Sequence, residues 1–440
     1  MDIFVIAQAG KVDTGDTAWM MAATALVLLM TPALGLFYTG LVRAKNSLNT
    51  FMMCISAIAI AGFTWALIGY SLAFDGTGDL IGGLHNVALH DVTFEPRDGT
   101  TIPHLVFMAF QATFCIITTA LISGAVVERM RFGAWMVFAA IWSVVVYSVM
   151  AHWAFGGGWL LEGGTLDFAG GVPVEMASGF SALAAALVVG ARKDYGRQAL
   201  LPHNGIYVVI GAGLLWFGWF GFNGGSGFST GHSSQLAFTN TLLTPACSLL
   251  AWFVMDLMRG RQVTAIGAAT SIIVGCVLIT PAGAFISPGW AMALGFAGAV
   301  PCYAVIMLRP RTRVDETLDV LAAHGVAGFF GILFIGFFAQ QNWNEISDGF
   351  VYGHIGQLGD QALAALVAPL YAFVMTFLLL KGLSLVMPLR VTEYEEALGM
   401  DTVQHGEEAY PTGEGAILVS PEAGMSDVLV ADPGVRGQPG

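Results

Sequence analysis

The sequence predicts an all-α membrane protein, a polytopic bundle of eleven transmembrane helices, and three observations carry that prediction. Of the 440 residues, 56% are hydrophobic and only 11% are charged, against about a quarter charged in soluble domains. The apolar residues gather in stretches of about 20, the length a helix needs to cross roughly 30 Å of hydrocarbon. Strand-like alternation is absent and the stretches are too long for barrel strands, so helices must satisfy the backbone hydrogen bonds within the bilayer.

Taken in order, the spans fall near 17–42, 48–74, 103–127, 132–154, 172–191, 203–222, 234–258, 263–280, 288–308, 320–339 and 359–388. The connections between them alternate in charge. After the odd-numbered spans come Arg43 and Lys45, then Arg129 and Arg131, then Arg192, Lys193 and Arg197, then Arg259 and Arg261, then Arg309, Arg311 and Arg313, twelve basic residues in all. After the even-numbered spans there is only Arg97, and ahead of the first only Lys11; Lys381, Arg390 and Arg436 lie at or beyond the end of the last. Cytoplasmic loops are enriched in Lys and Arg. The asymmetry therefore predicts a multi-pass protein with its N-terminus outside, its C-terminus in the cytoplasm, and an odd number of spans.

Five cysteines, Cys54, Cys115, Cys247, Cys276 and Cys302, all fall inside spans without metal-ligand spacing and read as small buried hydrophobes. The opening "MDIFVIAQAG" ends in a signal-peptidase-like A-Q-A, yet it lacks a basic n-region and its apolar run is very short, which argues against a cleaved signal. The net charge of −13 comes largely from outer loops and the tail. With the basic residues facing the membrane surface, no nucleic-acid partner is expected.

Most connections are short, apart from the outer loop at 75–102 and the tail, so residues 1–388 are expected to form one membrane domain. Residues 389–410, which include "RVTEYEEALGMDTVQHGEEAY", are expected to hold a defined shape against it. From Pro411 to Gly440 the chain dissolves into Gly, Pro, Ser and acidic residues and reads as disordered.

An internal echo links the starts of the fifth and tenth spans. "EMASG" at 175–179 resembles "HGVAG" at 324–328, each with an ionisable group four residues before a glycine. Five spans separate them, so the two halves would enter the bilayer from opposite sides, as inverted repeats do. Ionisable residues inside a span are costly, about 2.5–3.5 kcal/mol for Asp at a span centre on insertion scales, which makes Glu175 and His324 informative. Alone, each is readable as a structural group bonded to a neighbouring helix; at matching positions in two halves the pair reads better as the lining of a shared path.

Asp167 sits in the outer loop before the fifth span, beside Gly163, Gly164, Gly170 and Gly171. A carboxylate there can cap a helix N-terminus, accept several N–H bonds and stay ionised, with an indirect pull on cations. "AFQATF" places Phe110 and Phe114 one turn apart, and "WFGWFGFNGGSG" carries Trp219, Phe222 and Ser226. Such stripes are usually core packing; they become a pore only if their faces converge, since ring faces attract cations. The glycines of "NGGSG" follow no strand and precede no Lys-Ser/Thr, so they make no phosphate loop, and there is no H-E-x-x-H zinc site. His85, His90 and His104 are too loosely spaced in an outer loop to argue for a metal.

In its ordered motifs the sequence resembles the ammonium transporter family, the Amt/Mep/Rh group, and its bacterial Amt branch most. The motifs are "DTAWM", "LFYTGLVRAKN", "GYSLAF", "FQATF", "ERMRF", "AHWAFGGGWL", "LDFAGG", "GWFGFNGGS", "ITPAGAFI", "RVDETLDVLAAHGVAG" and "HGEEAY", spread from Asp16 to Tyr410. The resemblance implies eleven helices with a 5+5 inverted repeat, a homotrimer with one narrow pore per subunit, the cell membrane as location, ammonium or ammonia as substrate, and no enzyme activity or cofactor. It implies an outer recruitment site of Phe110, Phe155 (where the family commonly has Trp) and Ser226 with Asp167 nearby, and a stacked gate of Phe114 and Phe222. His324 matches the second of the family's paired pore histidines; the first falls at Glu175, a departure.

That departure bears on mechanism. Ammonium is similar in size to potassium, so a pore that merely fits it cannot exclude its competitor, whereas removing a proton separates the two. The resemblance implies recruitment outside, deprotonation, passage of ammonia, and separate travel of the proton. A Glu and His pair, with reference pKa values of about 4.3 and 6.5, would titrate as a coupled unit and handle protons, with Glu175 as acceptor or shuttle. A carboxylate there can also stabilise an intact cation and weaken selectivity. The rival readings are an ammonium sensor, which usually carries an appended signalling domain, and a less selective channel. The tail motif further implies a PII-family signal protein as a cytoplasmic partner.

Overall fold

The computed structural model describes residues 11–410 apart from 77. Its apolar helices are α1 (Thr14–Leu41), α2 (Ala44–Phe74), α3 (His104–Ser123), α4 (Phe132–Glu162), α5 (Gly171–Val189), α6 (Gly205–Gly225), α7 (His232–Met258), the shorter α8 (Ala265–Ile279), α9 (Pro288–Arg311), α10 (Leu321–Phe338) and α11 (Ile355–Leu383). All eleven expected spans are present, ten of them long enough to cross a membrane. At 15 residues, α8 rises only about 22 Å, and turns over 280–285 carry the chain onward. Among the described residues no strand forms.

Local chemistry sets the starts. Asp13 caps α1 by accepting the Asp16 N–H at 2.9 Å, Asn204 caps α6 through the N–H groups of Ile206 and Tyr207, and Thr264 caps α8 through Gly267. Each side chain satisfies donors that have no partner within the helix. Pro288 opens α9, where its missing N–H costs nothing.

The two halves meet through small residues. In α6, a methyl added at Gly211 would fall 2.5 Å from the Phe37 backbone nitrogen, and one at Gly218 would fall 2.2 Å from Met30. The first helix of each half thus packs backbone against backbone, the contact that helices in lipid rely on. At the centre α5 and α10, which both open with a π-helical turn, cross in the same manner. A methyl at Gly179 would lie 2.2 Å from the Gly325 nitrogen, and one at Gly328 would lie 2.6 Å from Glu175 Cβ. The glycine of each pentapeptide receives the opposite pentapeptide, which is the physical reason for the echo. Helix α11 straps the halves together: Gln361 donates to the carbonyls of Leu166 and Ile332, while Thr376 donates to Ser181 of α5 at 2.8 Å.

At the arginine-rich end lies a buried charge cluster. Glu128 accepts from the Arg43 backbone N–H and Nε at 3.0 Å, from Asn46 Nδ2 at 2.8 Å and from Arg192 Nη1 at 2.6 Å. Asp315 accepts three bonds from Arg192, each 2.8 Å long. Burial pushes both carboxyls up, but the facing guanidinium groups outweigh it and hold them below their ordinary range. Arg129, fully buried, donates instead to the carbonyls of Ala125, Val127, Gly190 and Asp315 and to the Thr317 hydroxyl.

The tail folds against this end through α12 (Glu393–Leu398) and α13 (Met400–His405). Thr392 and Glu395 form a capping box. Asp401 accepts the N–H groups of Leu48 and Asn49 at 3.0 and 2.8 Å, and Asn46 accepts the Met400 N–H. The expected signal-like start and the expected disorder over 411–440 lie outside the described residues.

Candidate functional site

Three cavities follow one another between the ends of the bundle. The first, about 60 Å³, is at the arginine-poor end and is walled by Phe74, Phe107, Phe155, Asp167, Ser226 and Phe228, with Phe114 at its margin. Phe114 stacks on Phe222 with ring centroids 4.1 Å apart and planes 32° from parallel, and the two rings stand between the first cavity and the second. Beyond them lies a lumen of Leu34, Ile117, Val174, Trp219 and Phe222 with two ionisable side chains, Glu175 and His324. Its volume is about 20 Å³, on a measure where one water needs roughly 10–15 Å³, so it is a single-file space. The third cavity, about 240 Å³, reaches the arginine-rich end past Ala323, Asp319 and Tyr38. His324 borders both the lumen and this last cavity.

The two halves of the echo meet in the lumen. His324 Nδ1 lies 2.7 Å from Glu175 Oε2, and both side chains are buried. Glu175 Oε1 is also buried; the neighbouring Thr280 hydroxyl donates to the Cys276 carbonyl at 2.9 Å and leaves this oxygen without a hydrogen bond from the protein. A carboxylate oxygen keeps two lone pairs, and leaving them unmet in an apolar space is costly. The site therefore holds an acceptor ready for a visiting N–H or O–H donor.

At the first cavity Asp167 Oδ1 accepts the N–H groups of Gly170 and Gly171 at 3.0 and 2.7 Å, and Oδ2 accepts that of Val172 at 2.7 Å. Burial pushes its carboxyl up to about 6 against those three bonds, leaving it mostly ionised at neutral pH. The Ser226 hydroxyl donates to the Phe222 carbonyl at 2.8 Å, which leaves its oxygen lone pairs free to accept. Phe155 lines the cavity. Phe110 differs: it is fully buried between Phe114 and Phe228, with centroids 4.8 and 5.8 Å away, and buttresses the wall while Phe107, one turn earlier, lines it. Arg97, the one basic residue of the even-numbered loops, sits 3.9 Å from the Phe107 centroid and 5.2 Å from that of Phe74.

Apolar helices, an inverted repeat and a polar pair in a single-file lumen are matched by a family signature. The description "Ammonium Transporter Family" matches residues 18–410. The chain belongs to the ammonium transporter family. An ammonium transporter of Bacillus subtilis (strain 168) is 43% identical over 399 residues, 90% of this chain and 98% of that one. The crystal structure of Candida albicans Mep2 superposes with a TM-score of 0.83 at 36% identity, covering 88% of each chain. A structure named a sensor Amt protein matches with the same TM-score at 28% identity, over 89% of this chain and 98% of that one.

Besides Phe107, the sequence pattern left Glu316 unnoticed. Glu316 precedes His324 by eight residues, as Asp167 precedes Glu175. Asp167 accepts the N–H five residues on, at Val172; Glu316 accepts the N–H five residues on, at Leu321, at 3.3 Å. Extending the pentapeptide echo upstream would have found it.

Proposed function

We propose that the protein carries ammonium across the cell membrane, with the arginine-rich end and tail in the cytoplasm, the arginine-poor end outside, and three copies forming a homotrimer. The observation that carries the reading is the orphan oxygen of Glu175, hydrogen-bonded through its sister oxygen to His324 in a single-file apolar lumen between two wider cavities. In the outer cavity the Ser226 oxygen accepts an N–H, the rings of Phe107 and Phe155 offer cation–π attraction, and the Asp167 carboxylate adds negative potential. Phe110 supports this wall from behind.

Past the Phe114–Phe222 gate an intact cation would shed its water, at an idealised cost of order 20 kcal/mol, with space for one or two waters to repay it. Ammonia crosses without that penalty, and the proton moves separately through the Glu175–His324 pair, Glu175 accepting and His324 facing the inner cavity. Potassium has no proton to give up, so it is excluded. Residues 389–410 form the regulatory face that a PII-family signal protein would engage.

A second reading is favoured by the same carboxylate, since it can also stabilise an intact cation. The test is current from liposomes on a solid-supported membrane, with an ammonium pulse followed by a potassium pulse. Current with ammonium alone is the expected result. Current with both, removed for potassium by Glu175→His, would establish the less selective channel. Ammonium binding without current would replace transport by sensing.

A further inference from the structure

Away from the transport route, the loop between α2 and α3 draws together groups that the sequence leaves scattered. His85 Nε2 lies 2.8 Å from Asp91 Oδ2, and His90 Nδ1 lies 3.3 Å from the same oxygen. One donor atom from each of the three residues falls within 4.8 Å of the other two, and the two imidazoles stand 5.3 Å apart at 84°. All three side chains are exposed. His104, grouped with them by sequence alone, turns away to the Tyr70 hydroxyl at 2.5 Å.

The convergence depends on the backbone. Ala88, Leu89 and Asp91 adopt φ values of 54°, 60° and 56°, the left-handed region that is unfavourable for a residue other than glycine. This reversal folds His90 and Asp91 back onto His85. Its base is anchored at the end of α2: the Asp75 carboxylate, just past the helix, accepts the His85 N–H, and the Asn86 N–H donates to the Ser71 hydroxyl at 3.0 Å.

Two imidazole nitrogens beside one carboxylate oxygen suit zinc and copper, and the imidazoles disfavour calcium and magnesium, which take oxygen ligands. Metal bonds of about 2.0–2.2 Å in tetrahedral array place neighbouring ligand atoms about 3.3–3.6 Å apart; the His90–Asp91 edge of 3.3 Å already has that length, and the His85–Asp91 edge of 2.8 Å would open by about 0.5 Å. Three protein ligands on an exposed loop leave further positions to water. We propose that His85, His90 and Asp91 form a site for a borderline divalent cation, zinc first, on the outer face of the protein. Asp75, which fixes His85, adjoins Phe74 of the outer cavity, so a bound ion would stiffen the loop at the cavity rim.

The test uses the purified full-length protein, stripped of metal and titrated with zinc sulfate near neutral pH by calorimetry, with excess magnesium present. One zinc per chain is expected. Removing even an outer partner of a metal ligand costs about 10–100-fold, so His85→Ala and Asp91→Asn should each raise the Kd at least about tenfold. Both should elute as the wild type and carry wild-type ammonium current in metal-free buffer. Absence of saturable zinc binding, or unchanged affinity in two variants that elute normally, would overturn the site.

Discussion

Replacing Glu128 by Gln tests whether the buried charge cluster holds the arginine-rich end together. The amide keeps the shape of the carboxylate and one acceptor oxygen, which can retain the Arg43 and Asn46 bonds. The other arm becomes an NH2 group facing the Arg192 Nη1 donor at a separation of 2.6 Å. A donor against a donor leaves the guanidinium short of charge in a buried site, and breaking a buried pair this way costs about 3–5 kcal/mol. Thermal melting of detergent-solubilised protein, followed by size-exclusion fluorescence, should show the apparent Tm falling by roughly 5 °C or more. The pH dependence follows from the same bonds. Both Glu128 and Asp315 are held below their ordinary values of 4.5 and 3.8, so their contribution is complete above those values and is lost as pH falls through the folded-state values. Acid destabilisation of the wild type should therefore begin near or below pH 4.5 and be shallower in Glu128→Gln. A variant that melts within about 1 kcal/mol of the wild type would refute the reasoning.

Gly179→Ala would drive a methyl to 2.2 Å from the Gly325 nitrogen, an overpacking of about 1–3 kcal/mol or more; a wild-type melt together with wild-type current would contradict the backbone contact. Asp167 protonates near 6, so the apparent KM for ammonium should rise as outer pH drops through that value, and a KM that stays flat would remove Asp167 from recruitment. Arg97→Gln takes a fixed cation off the Phe107 and Phe74 rings and should lower the KM for ammonium; an unchanged KM would mean that the guanidinium does not reach the recruited ion.

The spans were legible because lipid demands long apolar runs, and the charge alternation pointed to an odd number of them. The shorter α8 was not distinguishable from its neighbours, since hydropathy does not report where a helix gives way to turns. Glu175 and His324 could be paired from their equal distance to a glycine, and the structure supplies the reason in the crossing of α5 and α10. The aromatic wall was harder. Helix α3 is apolar around most of its circumference, so periodicity could not decide whether Phe107 or Phe110 faces the cavity. The approach of His85, His90 and Asp91 was hidden because it depends on left-handed turns at Ala88, Leu89 and Asp91, none of them glycine.

The crossing of Gly179 and Gly325 leaves no clearance. Backbone touches backbone there, and a change in the angle between the halves would drive main chain into main chain or open a void beside the Glu175–His324 pair. The halves are thus locked where a rocking carrier would need its pivot to slip. Under the proposed function, passage then falls to side chains, and the stacked Phe114 and Phe222 rings are the parts that would have to move. Side-chain rotation needs none of the microsecond-to-millisecond hinge motion of a domain, so the proposed transport asks of this fold a fixed conduit and not a rocking one.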